Sequence, residues 1–478
     1  MSTPAHEVGA LRHRHAPVLA ADDLVRAGRA ARRDVPRRSH AELVLPSQRD
    51  PVGVLRRQNG ARLQDLVPLR MERMLQNPFT FYRGTAALQA ADLAAGASTG
   101  VDLTVCGDAH LTNFGLYASP QRTMTFDLND FDEAAYGPWE WDVKRLVTSV
   151  VVAARHKGLD ETRTRQAAAQ AAASYRVGLR QVVELEVLDR YYARVDPSPA
   201  SLQSQGLRRS TRKVLERALR ASERRTSRRV VEKITEVAAD GSVAIREDPP
   251  VLTHIRANVE SLLAGIVHDY LSTVPPDVAN LLAQYTTTDA VRRVVGVGSV
   301  GTRCFIVVLT GPSGEPLVLQ IKEATRSVLC EHGGAAGALP PALVALGAPD
   351  DHGYRVVANQ RILQAVSDPF LGHIEVDGHH YYVRQFRDRN VSFDIDALKP
   401  GPFVDYVGAC GVALARAHAQ SERAPFVAGY LGGGRTFDDA VVDWAFAYAD
   451  RSATDYEQVR EAAARGAFDV VPDRAALP

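Results

Sequence analysis

Cysteine and lysine are scarce in this chain, and long apolar runs are absent. The four cysteines, Cys106, Cys304, Cys330 and Cys410, are scattered and form no C-x-x-C pair. That spacing argues against a zinc knuckle or a disulfide framework and fits a reducing cytosol. Lysine occurs six times, at Lys144, Lys157, Lys213, Lys233, Lys322 and Lys399. Arginine supplies most of the positive charge, so a lysine inside an apolar strand stands out. Neither sign of charge dominates: 57 Lys and Arg face 56 Asp and Glu, for a net charge of +1. This balance argues against a dedicated nucleic-acid binder. No run approaches the length of a membrane span. Arg12, His13, Arg14, His15 and Arg26 interrupt the N-terminal stretch where a leader would carry its apolar core. The expected location is cytoplasmic, with no membrane partner. H-E-x-x-H and G-x-S-x-G are also missing, so zinc-hydrolase and serine-hydrolase chemistry lack their signatures.

What is present is a long chain of ordinary globular composition. Its 478 residues exceed what one core usually supports, so two or three packed lobes are expected. Residues 1–55, rich in Arg, Ala and Pro and weakly periodic, read as a partly ordered arm with short helical pieces. A helical pattern starts near Leu55, is broken at Pro68, and resumes until Pro78; another helix covers Leu88 to Ala95. Val101 to Cys106 and Thr123 to Phe126 read as short strands. From Trp141 to about Ala239 the pattern is helical. The basic cluster Arg208 to Arg229 within it reads as a solvated face, or more sharply as a docking surface for an anion. A helix from Ile255 towards Leu271 ends at Pro275-Pro276.

Two polar motifs follow the two strands. Gly107-Asp108-Ala109-His110-Leu111-Thr112-Asn113 places an Asp five positions before an Asn, and Asp130-Phe131-Asp132 follows soon after. Phosphoryl transfer uses this combination: an Asp that takes the proton of the attacking hydroxyl, and an Asn and a second Asp that hold Mg²⁺.

Farther along, Gly296-Val297-Gly298-Ser299-Val300-Gly301 lies between β-branched segments, and Lys322 ends the strand Pro316 to Lys322. A dinucleotide-binding fold would place a helix after the glycines and an acidic residue about 20 positions on. Here strands follow the glycines and a lysine stands at that distance. This is the arrangement of a phosphate-covering loop with a phosphate-pairing lysine, although Arg303 stands where kinases usually have Val. Glu323 would point to the opposite sheet face from Lys322. Neither Glu331 nor Gln360 is an obvious partner for the lysine.

The loop G-D-A-H-L-T-N and the turn D-F-D resemble the G-D-x-H-x-x-N and D-F-[DE] motifs of aminoglycoside and choline kinases. The resemblance implies Asp108 as catalytic base with His110 bracing its loop. It implies Asn113, Asp130 and Asp132 as the metal-ligating set. Gly296, Gly298, Ser299, Gly301 and Lys322 would hold the nucleotide phosphates. In such kinases the glycine loop precedes the catalytic loop; here it follows. Leu414-Ala415-Arg416-Ala417-His418 resembles the L-A-x-x-H helix that precedes their catalytic loop, yet lies near the C-terminus. A circular permutation accounts for both displacements. Asp142, by the same resemblance, braces the catalytic loop, with Lys144 and Arg145 as possible partners. Arg70, Arg73 and Arg83 could bind an anionic substrate or form surface ion pairs.

A wider resemblance covers nearly all of the chain after the first 35 residues. Asn77-Pro78-Phe79-Thr80-Phe81-Tyr82-Arg83-Gly84, C-G-D-A-H-L-T-N-F-G, F-D-L-N-D-F-D-E, G-P-W-E-W-D-V-K-R-L, V-G-V-G-S-V-G-T-R and Y-Y-V-R-Q are similar to the bacterial domain of unknown function 2252. That family usually reads R-D-M-K-G-S where this chain has Arg387-Asp388-Arg389-Asn390-Val391-Ser392.

The expectation is therefore an α+β, two-lobed, kinase-like fold, circularly permuted. Residues 1–55 form the arm, 56–290 a helical large lobe with the catalytic and metal loops, 291–395 a β-rich nucleotide lobe, and 396–478 helices completing the large lobe. The expected function is Mg-ATP-dependent phosphate transfer to a hydroxyl of an acceptor. Nucleotidyl (AMP) transfer and non-catalytic nucleotide binding are the alternatives, with an oxidoreductase far behind.

Overall fold

The computed structural model describes residues 20–198, 207–237, 243–254, 267–294, 296, 298–347, 350–386 and 389–470. In chain order its strands are β1 (Asp102–Val105), β2 (Phe114–Ala118), β3 (Met124–Leu128), β4 (Ala135–Pro138), β5 (Thr235–Val237), β6 (Val243–Ile245), β7 (Leu252–His254), β8 (Thr286–Arg293), β9 (Cys304–Thr310), β10 (Pro316–Ala324), β11 (Gly372–Val376), β12 (His379–Gln385) and β13 (Val391–Ser392). They form several antiparallel sheets among many helices, an α+β chain as expected.

The largest sheet has the order β11-β12-β10-β9-β8-β7. The run CFIVVLT of β9 is β-branched and apolar, and the turn at Gly311–Gly314 returns it to β10 in register, Leu319 opposite Val307. Because side chains alternate across a sheet, β10 has two apolar faces. Leu317, Leu319 and Ile321 join Tyr270, Val274, Val278 and Leu282 in one core. Val318 joins Ile306, Val308 and Phe386 in another, with Val230 of the Ser227–Ile234 helix and Ile245 of β6. Truncating Ile306 to Ala in that core would cost about 2–5 kcal/mol. Lys322 shares this second face of β10, at the end away from the apolar cluster.

The larger body is helical. The Trp139–His156 helix is buried around its circumference, with Val143, Leu146, Val147, Val150 and Val151 fully enclosed. It packs against the Glu161–Val183 and Thr436–Ala464 helices, and the Pro400–His418 helix lies along Glu161–Val183. Beside these helices sit two small sheets, β1 with β4 and β13-β2-β3.

Three sequence expectations change. Pro68 does not break a helix but opens one, Val67–Met74, and Pro78 opens Pro78–Gly84 behind an Asn77 capping box. Proline suits the first helical turn, where its missing N–H has no partner to lose. Pro276 likewise opens Pro276–Leu282; of the helix expected from 255, residues 255–266 lie outside the described set. The described part of the arm includes a short helix, in keeping with the expectation. Its helix Ala21–Ala31 docks on Ala424–Leu431 through small residues: a Cβ on Gly28 would sit 2.0 Å from the Phe426 carbonyl oxygen. Arg32 Nε donates to the Tyr430 carbonyl (2.9 Å) and Arg37 to that of Leu431 (2.7 Å).

Candidate functional site

The first motif sits where β1 ends. Gly107 has φ 80°, and a Cβ there would lie 2.1 Å from the Glu133 carbonyl oxygen, so no larger residue fits the turn. Asn113 closes a short 3₁₀ turn just before β2. Asp130 and Asp132 lie between β3 and β4. Pairing of β1 with β4, Val105 opposite Ala135, brings the two loops side by side.

Asp142 holds the first loop. It is buried at the start of the Trp139–His156 helix. Its two oxygens accept the N–H groups of Cys106 (2.6 Å) and Gly107 (2.9 Å). His418 Nε2 lies 3.1 Å from the Asp142 carboxylate, and His418 Nδ1 is 2.9 Å from the Tyr175 hydroxyl. The bracing role expected for Asp142 thus has its geometry, and the helix carrying His418 packs beside the loop. Arg145 is the exception: it pairs with Asp108, not Asp142, Nε donating to Oδ1 at 2.8 Å while Nη1 and Nη2 bond Gln89 and the Tyr82 carbonyl. Lys144 lies over the Trp444 ring.

His110 is buried with Nε2 3.7 Å from Asp108 Oδ2 and Nδ1 3.1 Å from the Thr112 hydroxyl. Burial pushes it down to about 3, against the pull of Asp108, so it serves as a neutral ring. Asn113 Nδ2 donates to the Asp108 carbonyl at 2.7 Å, which leaves its amide oxygen to act as an acceptor.

The glycine segment and Lys322 come to the same place from the sheet. Gly296, Gly298 and Ser299 line a cavity of about 130 Å³ together with Asp108, His110, Asn113, Asp130 and Asp132. Gly301 stands back from it: its carbonyl accepts Leu63 N (2.8 Å), and the Val300 carbonyl accepts Arg62 Nη1 (2.5 Å). Val300 and Val294 pack with Leu66 and Leu69, so the glycine segment is fastened to the larger body. Lys322 is buried behind the cavity wall. Its ammonium donates to Asp132 and lies 3.9 Å from Asp130. Burial pushes the lysine down, but Asp130 and Asp132 outweigh it and the net shift is up.

Asp132, rather than Glu331 or Gln360, is therefore the partner of Lys322. Both its oxygens are engaged: Oδ1 accepts from the Tyr382 hydroxyl (2.7 Å), and Oδ2 from Lys322 and, more weakly, Ser299 (3.4 Å). Burial raises this carboxyl and Lys322 and Tyr382 more than offset it, leaving it low. Asp130 is pushed up, by burial and then by Asp132. Of the three expected metal ligands, Asn113 and Asp130 keep oxygens for a cation, whereas Asp132 is the counter-ion of the lysine. Among the described residues no three His, Cys, Asp or Glu side chains form a metal cage. Glu323, on the other face of β10, pairs with Arg303 (2.9 Å), which explains the arginine after the third glycine.

Several wall residues escaped sequence reasoning. Arg62 and Glu133 line the cavity. Burial pushes Glu133 up to about 7, and its Oε2 accepts Val328 N (2.7 Å). Arg355 Nη1 and Nη2 donate to the carbonyls of Ala134, Asp132 and Thr325 and hold the second turn. Arg355 stands on the His352–Leu363 helix, where a buried arginine leaves no periodic signal. Arg384 packs over Tyr382 and donates to Gln320 and the Asn129 carbonyl. Among the arginines proposed for an anion, Arg70 is buried on Asn59 Oδ1 (2.5 Å), behind Gln58 and Gly84 of the cavity wall, whereas Arg83 lines the cavity. In the basic cluster, Arg208 pairs with Asp405, and the Arg209–Glu223 helix turns its charges to solvent. Arg389 N bonds the Arg225 carbonyl, while positions 387 and 388 lie outside the described residues.

No helix among the described residues is long and apolar enough to cross a membrane. Neither a curated protein nor a solved structure matches the chain. One family model does, over residues 62–462, and it contains the strands, both loops, the glycine segment and His418. The chain belongs to the bacterial family described as "Uncharacterized protein conserved in bacteria (DUF2252)".

Proposed function

We propose that this protein is a Mg-ATP-dependent phosphotransferase acting on a hydroxyl group, with a circularly permuted kinase-like fold. One observation carries the reading: Asp108, Asn113 and Asp130 meet the Gly296–Ser299 segment at one cavity with Lys322 directly behind, although some 200 residues of chain separate the two sets. The order of parts in the sheet supports it as well. The glycine segment joins β8 to β9, the lysine lies on β10, and the His352–Leu363 helix precedes β11 and β12.

In this reading the glycine segment and Lys322 bind the nucleotide phosphates. Lys322 exchanges its contact with Asp132 for a phosphate oxygen, while Tyr382 keeps Asp132 in place. Asn113 and Asp130 have the oxygen donors that suit Mg²⁺, an ion usually held by one or two carboxylates together with substrate phosphates. When bound, the ion neutralises charge on those phosphates. Arg145 and the neutral His110 fix the Asp108 carboxylate. Asp108 orients the acceptor hydroxyl and takes its proton as the acceptor oxygen bonds the γ-phosphorus. The bond from that phosphorus to the β–γ bridging oxygen breaks, and its electron pair leaves on ADP.

The test is mass analysis of products formed from Mg-ATP and a panel of hydroxyl compounds, alongside calorimetric titration of Mg-nucleotide. Gain of a phosphate on an acceptor supports the proposal. Gain of AMP would make the protein a nucleotidyl transferase, and tight binding with no turnover a regulator. Failure to bind Mg-nucleotide at all would sink the reading.

A further inference from the structure

The cavity that Asp108 lines also has two arginines in its wall, Arg62 and Arg83. Arg83 comes from the last turn of the Pro78–Gly84 helix, its guanidinium 6.0 Å from the Phe79 ring centroid. Its Nε is buried and meets no acceptor among the described residues. Arg62 comes from the loop after the Pro51–Gly60 helix and uses Nη1 on the Val300 carbonyl, a neutral group. No ion pair neutralises either guanidinium among the described residues. Burial lowers both, against Asp108 for Arg83 and chiefly Glu133 for Arg62.

The anions in the same cavity are differently placed. Asp108 is already paired with Arg145, Asp132 with Lys322 and Glu323 with Arg303. Glu133 Oε2 is engaged by the Val328 N–H at 2.7 Å. Asp130 also lines the cavity and lies 3.9 Å from Lys322, so Arg62 and Arg83 are the lining cations that no carboxylate among the described residues pairs directly. Desolvated cations without counter-charges are costly to keep, and a forked guanidinium matches the oxygens of a phosphate or carboxylate.

We infer that Arg62 and Arg83 form an oxyanion subsite beside Asp108, so that the hydroxyl acceptor carries a phosphate or carboxylate group. The assignment to the acceptor rests on the phosphotransfer reading; the subsite itself does not. The anion, gripped by the two arginines, positions its own molecule's hydroxyl against Asp108. A neutral or cationic acceptor would leave both arginines unmatched.

The probes are inorganic phosphate and acetate, titrated by calorimetry into the intact protein, alone and with a saturating non-hydrolysable Mg-ATP analogue. Saturable binding of phosphate or acetate to wild type is expected, and the better probe names the anion. Arg83→Ala and Arg62→Ala should each weaken it on the order of tenfold or more. Arg435→Ala, which removes an exposed charge paired with Asp439, should not. Should Arg83→Ala fail to fold, Arg83→Lys keeps the charge and loses the fork, and should still weaken binding. With the analogue present, the anion should bind as before. No saturable binding of either anion, or equal binding in wild type and both arginine variants, overturns the subsite. Exclusion of the anion by the analogue overturns the acceptor assignment, because the arginines would then serve the nucleotide's own phosphates. If the analogue does not bind while the arginine-dependent anion does, the phosphotransfer reading fails and the subsite stands.

Discussion

Asp142→Asn is the most exacting test of how the first loop is held. In the wild type one carboxylate oxygen accepts Gly107 N–H, and the other accepts Cys106 N–H and faces His418 Nε2. An asparagine can serve only one backbone donor with its oxygen. If the oxygen stays on Gly107, the new amide nitrogen faces Cys106 N–H, donor against donor. His418 can adapt, because the Tyr175 hydroxyl on its other nitrogen can either donate or accept. One buried N–H is then orphaned, at about 1–3 kcal/mol, and the surviving bond loses its charge assistance, roughly 1 kcal/mol more. The sum is about 2–4 kcal/mol, spent locally. Native-state hydrogen exchange of a peptide spanning 103–113 reads it directly. Exchange should accelerate roughly 30- to 900-fold where local opening governs it, with a peptide from the Thr436–Ala464 helix as unchanged reference. Acceleration under threefold would refute the argument that Asp142 holds this loop.

Other consequences can be measured in parallel. Asp108→Asn should abolish turnover and leave nucleotide affinity within about twofold, whereas Asp130→Asn should weaken Mg-nucleotide binding itself; the opposite pattern in calorimetry would reverse the two roles. Mg-ATP at a hundredfold excess over its Kd should stabilise the fold by about 2.7 kcal/mol, seen as a higher melting temperature that NAD does not produce. Lys322→Met should destabilise the protein by about 3–5 kcal/mol, because two carboxylates lose a buried counter-charge. Those carboxyls would then titrate above the unfolded value of about 3.9, so the penalty is present at pH 8 and fades towards pH 4; a pH-independent loss in urea melts would contradict this. Glu140 is pushed up to about 7 by burial, its Oε1 accepting the N–H and hydroxyl of Thr99. With the folded value above the unfolded one, its contribution is complete below about 4.5 and is lost as pH rises through 7. Glu140→Gln should therefore lose less stability than wild type between pH 5 and 8.5, and equal slopes would count against it.

Which residues meet at the candidate site was largely legible in the sequence, because each piece is a short contiguous pattern. The G-D-A-H-L-T-N loop, the D-F-D turn, the glycine segment between strands and Lys322 in its apolar run are all readable without tertiary knowledge. So was the meander β8-β9-β10, where turn residues and β-branched runs agree. The wall residues were less legible. Arg62 and Glu133 are charged residues in ordinary surroundings along the chain, and only packing brings them to the cavity; Arg83 is a candidate from the sequence, but only packing tells it from Arg70. Asp132 was read as a metal ligand because it stands in the motif; its pairing with Lys322 depends on a sheet built 190 residues later. Pro68 misled because proline marks both the end of one helix and the first turn of the next. The Ala21–Ala31 helix fits the expected short helical pieces of the arm, but its docking by close backbone approach at Gly28 and Gly429 and by arginine–carbonyl bonds has no sequence signature.

The bond between Asp142 and His418 has a consequence for how the chain is made. The carboxylate that holds the Asp108 loop emerges from the ribosome 276 residues before the histidine that backs it. At about 5–20 residues per second that interval lasts roughly 15–55 s. Throughout it, neither the His418 helix nor the sheet carrying Lys322 is fully in place around the loop. The nascent large lobe must wait with Asp142 and Arg145 facing an unfinished core. A ribosome stalled before codon 418 should therefore hold a protease-sensitive 100–115 segment, and one stalled with the last helix exposed should not.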